Sequence, residues 1–203
     1  MKKPIYYGKH NIDDDDVEAV TRVLKSNFLT QGPSVEEFEQ NFAKYVGSKY
    51  AIAVNSGTAA LHLCTLALKV ENGDKVLVTT NTFAASANCI RYCGADVEFV
   101  DIDRDSYLIN VDLLIDKINS KPRGYYKGII PVNFAGLSVD LEKIYGIAKY
   151  NDMWIIEDAC HSPGAGFYDS NKTFCFSGSG KYSDLSIFSF HPVKHIAAGE
   201  GGM

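Results

Sequence analysis

The chain has 203 residues, 46% of them hydrophobic and 22% charged, with a formal net charge of −5 at pH 7. That is enough for one domain with a proper core. The acidic balance and the lack of a basic patch argue against a nucleic-acid partner, and no apolar run is long enough to span a membrane. Five cysteines without CxxC spacing read as reduced thiols of a cytoplasmic protein, and nothing resembles a signal peptide.

From the N-terminus, Asp13-Asp14-Asp15-Asp16 precedes the apolar-periodic Val17, Val20, Val23 and Leu24. Acids in that position cap a helix and favour its dipole, which is a better account of the run than metal binding. Apolar, β-rich runs then alternate with helical patterns. The runs are 51–55, 75–80, 97–102, 128–133, 154–157 and 185–190; the helical segments are 58–68, 84–92, 111–118 and 141–150. Runs apolar on both faces, separated by helices, predict a three-layer α-β-α domain with a mainly parallel sheet. Residues 169–181 read as a polar excursion between two strands. Their Gly178-Ser179-Gly180-Lys181 is not a phosphate loop, because Cys175 stands where its first glycine belongs and Tyr182 where Ser or Thr is required.

Chemistry concentrates at the ends of the runs. Asn55-Ser56-Gly57-Thr58 opens an almost wholly apolar helix, so its free N–H groups can bind an anion, or Ser56 and Thr58 can simply cap it. Phe83 follows the second run and can pack in the core or stack on a planar ligand. Glu157-Asp158 ends the fifth run; the two side chains point to opposite faces, so only one can serve a site and a metal pair is disfavoured. His161 can donate to a ligand oxygen or be structural. His191 and His195 are four apart, but Pro192 between them argues against a helical zinc pair. Lys194 follows the last run, near Ser189, and is either a surface lysine or a desolvated amine nucleophile. A phosphate turn, an aromatic platform, an acid, a histidine and a terminal lysine together suit a phosphorylated aromatic aldehyde, pyridoxal 5′-phosphate.

On these residues, and on the segments 29–33, 55–61, 82–88, 99–103, 131–136 and 156–161, the chain resembles the sugar-nucleotide aminotransferases of the aspartate-aminotransferase-like fold. The resemblance runs in order over nearly the whole sequence. It implies that Lys194 carries the internal aldimine, that Asp158 pairs with the ring nitrogen, that Phe83 stacks on the ring and that His161 lies near the phenolic oxygen. Gly57, Thr58 and Ser189 then hold the phosphate, while Tyr7, Asn27, Phe28, Leu29 and Thr30 match positions that contact the sugar nucleotide. The implied reaction moves an amino group from glutamate to a nucleotide-linked keto sugar, in a homodimer.

Three departures accompany the resemblance. Ala197-Ala198 stand where many relatives carry hydroxyl residues. Family members are about twice as long, with a C-terminal small domain, so residues 1–203 are expected to hold the N-terminal arm and most of the cofactor-binding large domain. The family's antiparallel strand is expected to fall beyond the glycine cluster at 199–202, which would leave a gap of one strand width. Two other readings follow from the same residues: a dehydratase of the same fold, for which a histidine is expected in place of Lys194, and a truncated non-catalytic fragment.

Overall fold

The computed structural model describes Pro4, Tyr6 and residues 8–203. Helix α1 (Asp14–Leu24) begins at Asp13, whose carboxylate accepts the Asp15 and Asp16 N–H groups while Asp16 accepts the Asp13 N–H, so the acidic run is a reciprocal cap. Its apolar stripe, Val17, Val20 and Leu24, is exposed. Helix α2 (Pro33–Val46) has no counterpart among the expected segments, although Phe38, Phe42 and Val46 recur at helical spacing.

From α3 (Gly57–Ala67) onward, strand and helix alternate as expected: β1 (Lys75–Thr79), α4 (Ala85–Tyr92), β2 (Asp96–Val100), α5 (Val111–Asn119), β3 (Gly128–Ile130), α6 (Leu141–Tyr150) and β4 (Trp154–Asp158). A hairpin of β5 (Gly166–Tyr168) and β6 (Phe174–Phe176) follows, then β7 (Leu185–Ile187). The main sheet is parallel throughout, in the order β2-β1-β3-β4-β7. Alternation along the strands splits the core in two. Leu77, Ile129 and Ile155 pack with Leu114, Ile118 and Ile144 of α5 and α6. Val76, Val78, Ile130 and Ile156 pack with Leu61 and Ile90 of α3 and α4. These side chains are essentially fully buried, and each such burial contributes roughly 1.5–3 kcal/mol, more than the ~0–1 kcal/mol of an exposed ion pair such as Arg22–Glu18. Helices therefore cover both faces of the sheet, and packing rather than surface charge holds the three layers together.

Two expectations are corrected. The run 51–55 is not a regular strand; only Val54 pairs, and it pairs with Gly202. The Ala53 N–H is drawn away to Glu39 Oε1 at 2.8 Å, so the run has no continuous ladder. The excursion at 169–181 is likewise more ordered than expected, since its β6 pairs antiparallel with β5.

The antiparallel segment expected beyond the glycine cluster is already begun within it. Gly201–Met203 run between the first apolar run and the end of the last one. Gly202 exchanges both backbone hydrogen bonds with Val54 at 2.9 Å, Met203 exchanges both with Phe188, and the Phe190 N–H donates to Gly201. The one-strand gap is thus closed at the level of Val54 and Ser189. Farther along the same two edges lies an apolar cavity of about 710 Å³, lined by Ile52, Val54, Leu63, Leu185, Phe188 and Met203 among others. Helix α2 covers this end of the domain through a cluster of Phe42, Val46, Phe188, Phe190 and Met203.

Candidate active site

A parallel sheet carries all its strand C-termini on one edge, and the chain's polar loops gather there. The Ser56 hydroxyl accepts the Ala59 N–H at 3.1 Å and its carbonyl accepts the Ala60 N–H, so Ser56 caps α3. Among the described residues, nothing accepts the Gly57 or Thr58 N–H or bonds the Thr58 hydroxyl. Capping and anion binding are therefore compatible here: one residue closes the helix and the next two keep free donors at its positive end. Gly57 abuts the loop after β7. A Cβ at Gly57 would lie 3.0 Å from Ser189 Cβ and 3.5 Å from Cys160 Sγ, so a bare backbone is needed at this approach. Ser189 Oγ accepts only a long contact from the His191 N–H, at 3.4 Å.

Asp158, at the end of β4, is 4% exposed. Its Oδ2 accepts the Ser86 hydroxyl at 2.8 Å and its Oδ1 accepts the Cys160 N–H at 3.2 Å. Each oxygen keeps a lone pair for another donor. Glu157 faces the other way, as strand alternation requires. There it accepts the Asn133 amide (2.9 Å), the Gly178 N–H (2.9 Å) and the Ser186 hydroxyl (3.0 Å). Burial pushes the Glu157 carboxyl up, and those three donors oppose the shift. Asn133 also reaches Ser162 and Ser177 and accepts the Val139 N–H, so this buried network ties three loops beneath the edge. Sequence reasoning gave Glu157 and Asn133 no such part, because the partners lie 24 or more positions apart for Asn133–Glu157 and its longer links.

Phe83 is 75% exposed, on the turn that leads into α4. Core packing is excluded for it. His161 is partly buried, its ring 5.8 Å from that of Phe134. Burial first, and then the Lys194 ammonium, hold His161 below the ordinary histidine range; the Asp158 charge acts the other way. Lys194 sits in a turn closed by its N–H on the His191 carbonyl at 2.8 Å. It is partly buried, and its Nζ has no hydrogen-bond or ion-pair partner among the described residues. Cys160, beside both, is raised well above the usual thiol range by burial and then by Asp158, so it stays protonated and does not compete as a nucleophile.

The remaining expected site residues are not gathered with these. Asn27, Phe28, Leu29 and Thr30 form an exposed turn after α1, and no hydrogen bond among the described residues joins them to Asp158, His161 or Lys194. Tyr7 lies outside the described residues. Its neighbour Gly8 lies against Val193: a Cβ there would fall 2.6 Å from Val193 Cγ1, next to the lysine. No group of three or more His, Cys, Asp or Glu side chains among the described residues is arranged to hold a metal ion. The apolar cavity described above is a gap in the sheet, and none of Asp158, His161 or Lys194 lines it.

Free helix N–H groups beside a serine, an uncovered aromatic ring, a buried carboxylate and an unpaired amine suit a planar, phosphorylated aldehyde. The fold and the site thus define a protein of the cofactor-aldehyde class on an open α/β sheet. Residues 10–203 match the model of the DegT/DnrJ/EryC1/StrS aminotransferase family, and the chain belongs to that family.

Among curated relatives, the chain is 42% identical over 198 residues to the UDP-4-amino-4,6-dideoxy-N-acetyl-beta-L-altrosamine transaminase of Campylobacter jejuni serotype O:2, covering 97% of this chain and 50% of the relative. Among solved structures it is similar to the Streptococcus pneumoniae protein Spr1654 in its PLP-form, with a TM-score of 0.86 and 30% identity over 98% of this chain and 52% of that one. The same protein was also solved in its PMP-form. A mutant of GDP-4-keto-6-deoxymannose-3-dehydratase (ColD) with bound GDP-perosamine superposes with a TM-score of 0.84 at 29% identity, over 98% of this chain and 50% of that one. The chain spans about half the length of the curated relatives it matches.

Proposed function

We propose that this chain carries the cofactor-binding part of a pyridoxal-phosphate-dependent aminotransferase that moves an amino group from glutamate to C4 of a nucleotide-linked 4-keto-6-deoxy sugar. The observation that carries the reading is the convergence on Cys160 and His161: Gly57 abuts Cys160 and Ser189, Asp158 accepts the Cys160 N–H, and Lys194 and Asp158 both act on the Cys160 and His161 side chains. The likeness to the altrosamine transaminase supports the sugar class and, within it, a step toward pseudaminic acid.

Gly57, Thr58 and Ser189 would hold the phosphate, Phe83 would lie against the ring, and His161 would stand near its phenolic oxygen. When bound, pyridoxal phosphate supplies an aldehyde to carry the amino group and a conjugated ring to take up electrons. The chain's own residues do the rest. Asp158, fixed by two donors, presents a carboxylate that would accept a ring N–H and favour its protonated form. Lys194 Nζ has no hydrogen-bond or ion-pair partner among the described residues, so nothing ties it away from a bound aldehyde or from carrying a proton to and from the substrate carbon. Burial first and then the Lys194 charge favour the neutral form of His161, whose imidazole can donate or accept at an oxygen without adding a charge. Tyr7 and the 27–30 turn would contact the sugar nucleotide, in a cytoplasmic homodimer.

The likeness to ColD raises a dehydratase as the second reading. Lys194, where a histidine is expected in such an enzyme, favours the aminotransferase.

The test is absorbance on adding pyridoxal phosphate, borohydride reduction and peptide mapping. The pyridoxyl mass is expected on the Lys194 peptide; finding it on Lys181 instead would overturn the assignment. A screen of keto-sugar nucleotides with glutamate then reads the substrate.

A further inference from the structure

The acid at the centre of the site is held by a hydroxyl chain that the sequence motifs do not announce. The Ser86 hydroxyl, on the first turn of α4, donates to Asp158 Oδ2 at 2.8 Å. Ser86 is fully buried. Its oxygen in turn lies 2.7 Å from the Thr82 hydroxyl. Ser86 has one proton, and the carboxylate takes it, so the 2.7 Å contact needs Thr82 as donor. Thr82 has one alternative acceptor, the Phe83 carbonyl, but at 3.3 Å. The polarity therefore runs Thr82 to Ser86 to Asp158, and each donation strengthens the next.

We propose that Ser86 is a positioning residue for Asp158, with Thr82 as its outer donor, and that this pair sets how firmly the carboxylate holds a protonated ring nitrogen. The inference rests on the cofactor reading above. Phe83 lies between the two hydroxyls in sequence, so one short turn both presents the aromatic ring and clamps the acid. The Cys160 N–H holds the other oxygen at 3.2 Å, which leaves the Ser86 bond to fix the rotation of the carboxylate about its axis. The titratable groups that the Asp158 charge acts on are Cys160 and His161 beyond β4, Cys89 of α4 and, from the opposite face of β4, Glu157; Lys194, from the loop after β7, acts on the same Cys160 and His161. Ser86 and Thr82 carry no charge, so removing either changes alignment without changing the local charge count.

The test uses the 203-residue chain loaded with pyridoxal phosphate labelled with ¹⁵N in the ring, whose chemical shift reports ring protonation. In Ser86→Ala the pH midpoint of that signal is expected to fall by about one unit, a tenfold weaker hold on the ring proton, because a carboxylate free to rotate is aimed at it less of the time; this loss of alignment outweighs the gain in basicity from losing a donor. Thr82→Val is expected to lower it by less, and Thr82→Ser to leave it in place. Borohydride labelling at Lys194 should persist in all three. An unchanged midpoint in Ser86→Ala with Lys194 still labelled overturns the positioning role alone. If Ser86→Ala does not fold, Thr82→Val decides, and an unchanged midpoint there has the same meaning. If the unmodified chain is not labelled at Lys194, the cofactor reading fails and this inference falls with it.

Discussion

Val54 and Ser189, at the ends of two separate apolar runs, are bridged to the same residue, Gly202, one on each side. That bridge sits directly over the start of α3: a Cβ on Gly202 would lie 2.4 Å from the Ser56 carbonyl carbon and 2.6 Å from the Gly57 nitrogen. Those neighbours are backbone, so they can give way only by moving the helix N-terminus. Gly202→Ala is expected to cost about 1–3 kcal/mol, the usual range for overpacking. It should also weaken phosphate binding if the displaced Gly57 and Thr58 N–H groups are the anion donors, as proposed. Gly146→Ala in α6, where nothing lies within 4 Å, is the control and should leave stability equal or raised. Urea unfolding of both variants, with a phosphate titration, checks the contrast.

Asp158→Asn is expected to lower the glutamate half-reaction by at least about a hundredfold, the scale of losing a charge aimed at the reacting group. The amide oxygen can still accept the Ser86 hydroxyl, so the fold should hold, and the proposed phosphate donors, the Gly57 and Thr58 N–H groups, are untouched. Cofactor affinity by absorbance titration, beside single-turnover kinetics, separates the two effects. Near-normal turnover would mean that Asp158 is not the ring partner.

Phe83→Ala distinguishes a ligand platform from a core residue. At 75% exposure the ring adds little to folding, so unfolding free energy should change by no more than about 0.5 kcal/mol. Affinity for pyridoxal phosphate should fall about 2- to 10-fold, as for loss of an aromatic pair. A destabilised protein with unchanged affinity would reverse the assignment.

The layers were legible because the central strands β1, β3 and β4 are apolar on both faces and α1, α3, α5 and α6 begin at a polar residue. The expected 141–150 segment is α6 residue for residue, and 84–92 differs from α4 only by Ala84, whose backbone is already helical as the N-cap. What local pattern could not supply was pairing. The run 51–55 has a strand's composition, yet Ala53 gives its N–H to Glu39, and only Val54 finds a partner, 148 positions away at Gly202 by subtraction of their numbers. Phe188–Phe190 looked like more of β7, but their free edge pairs with 201–203. In the site, Asp158 and Lys194 stood out because each follows an apolar run into a polar loop. Ser86 did not, since its role depends on a hydrogen bond across 72 positions.

The sign of a pH effect follows from His161. Burial and the Lys194 charge lower its pKa in the folded protein, while Asp158 raises it only in part. In the unfolded chain the imidazole titrates near 6.5. Below that pH the unfolded state binds a proton that the folded state resists, so stability rises with pH through this window and the contribution is complete above about 6.5. As pH falls from there, the protein should lose stability relative to His161→Phe, whose profile lacks this proton. The coupling to Lys194 gives a second measurement. In Lys194→Met the opposing charge is gone while burial remains, so the His161 midpoint, followed by NMR of the ring, should move up toward the ordinary value without reaching it. A midpoint in Lys194→Met equal to that of the unmodified chain would mean that the lysine and histidine do not share the site, and the arrangement on which the amine's role depends would fail with it.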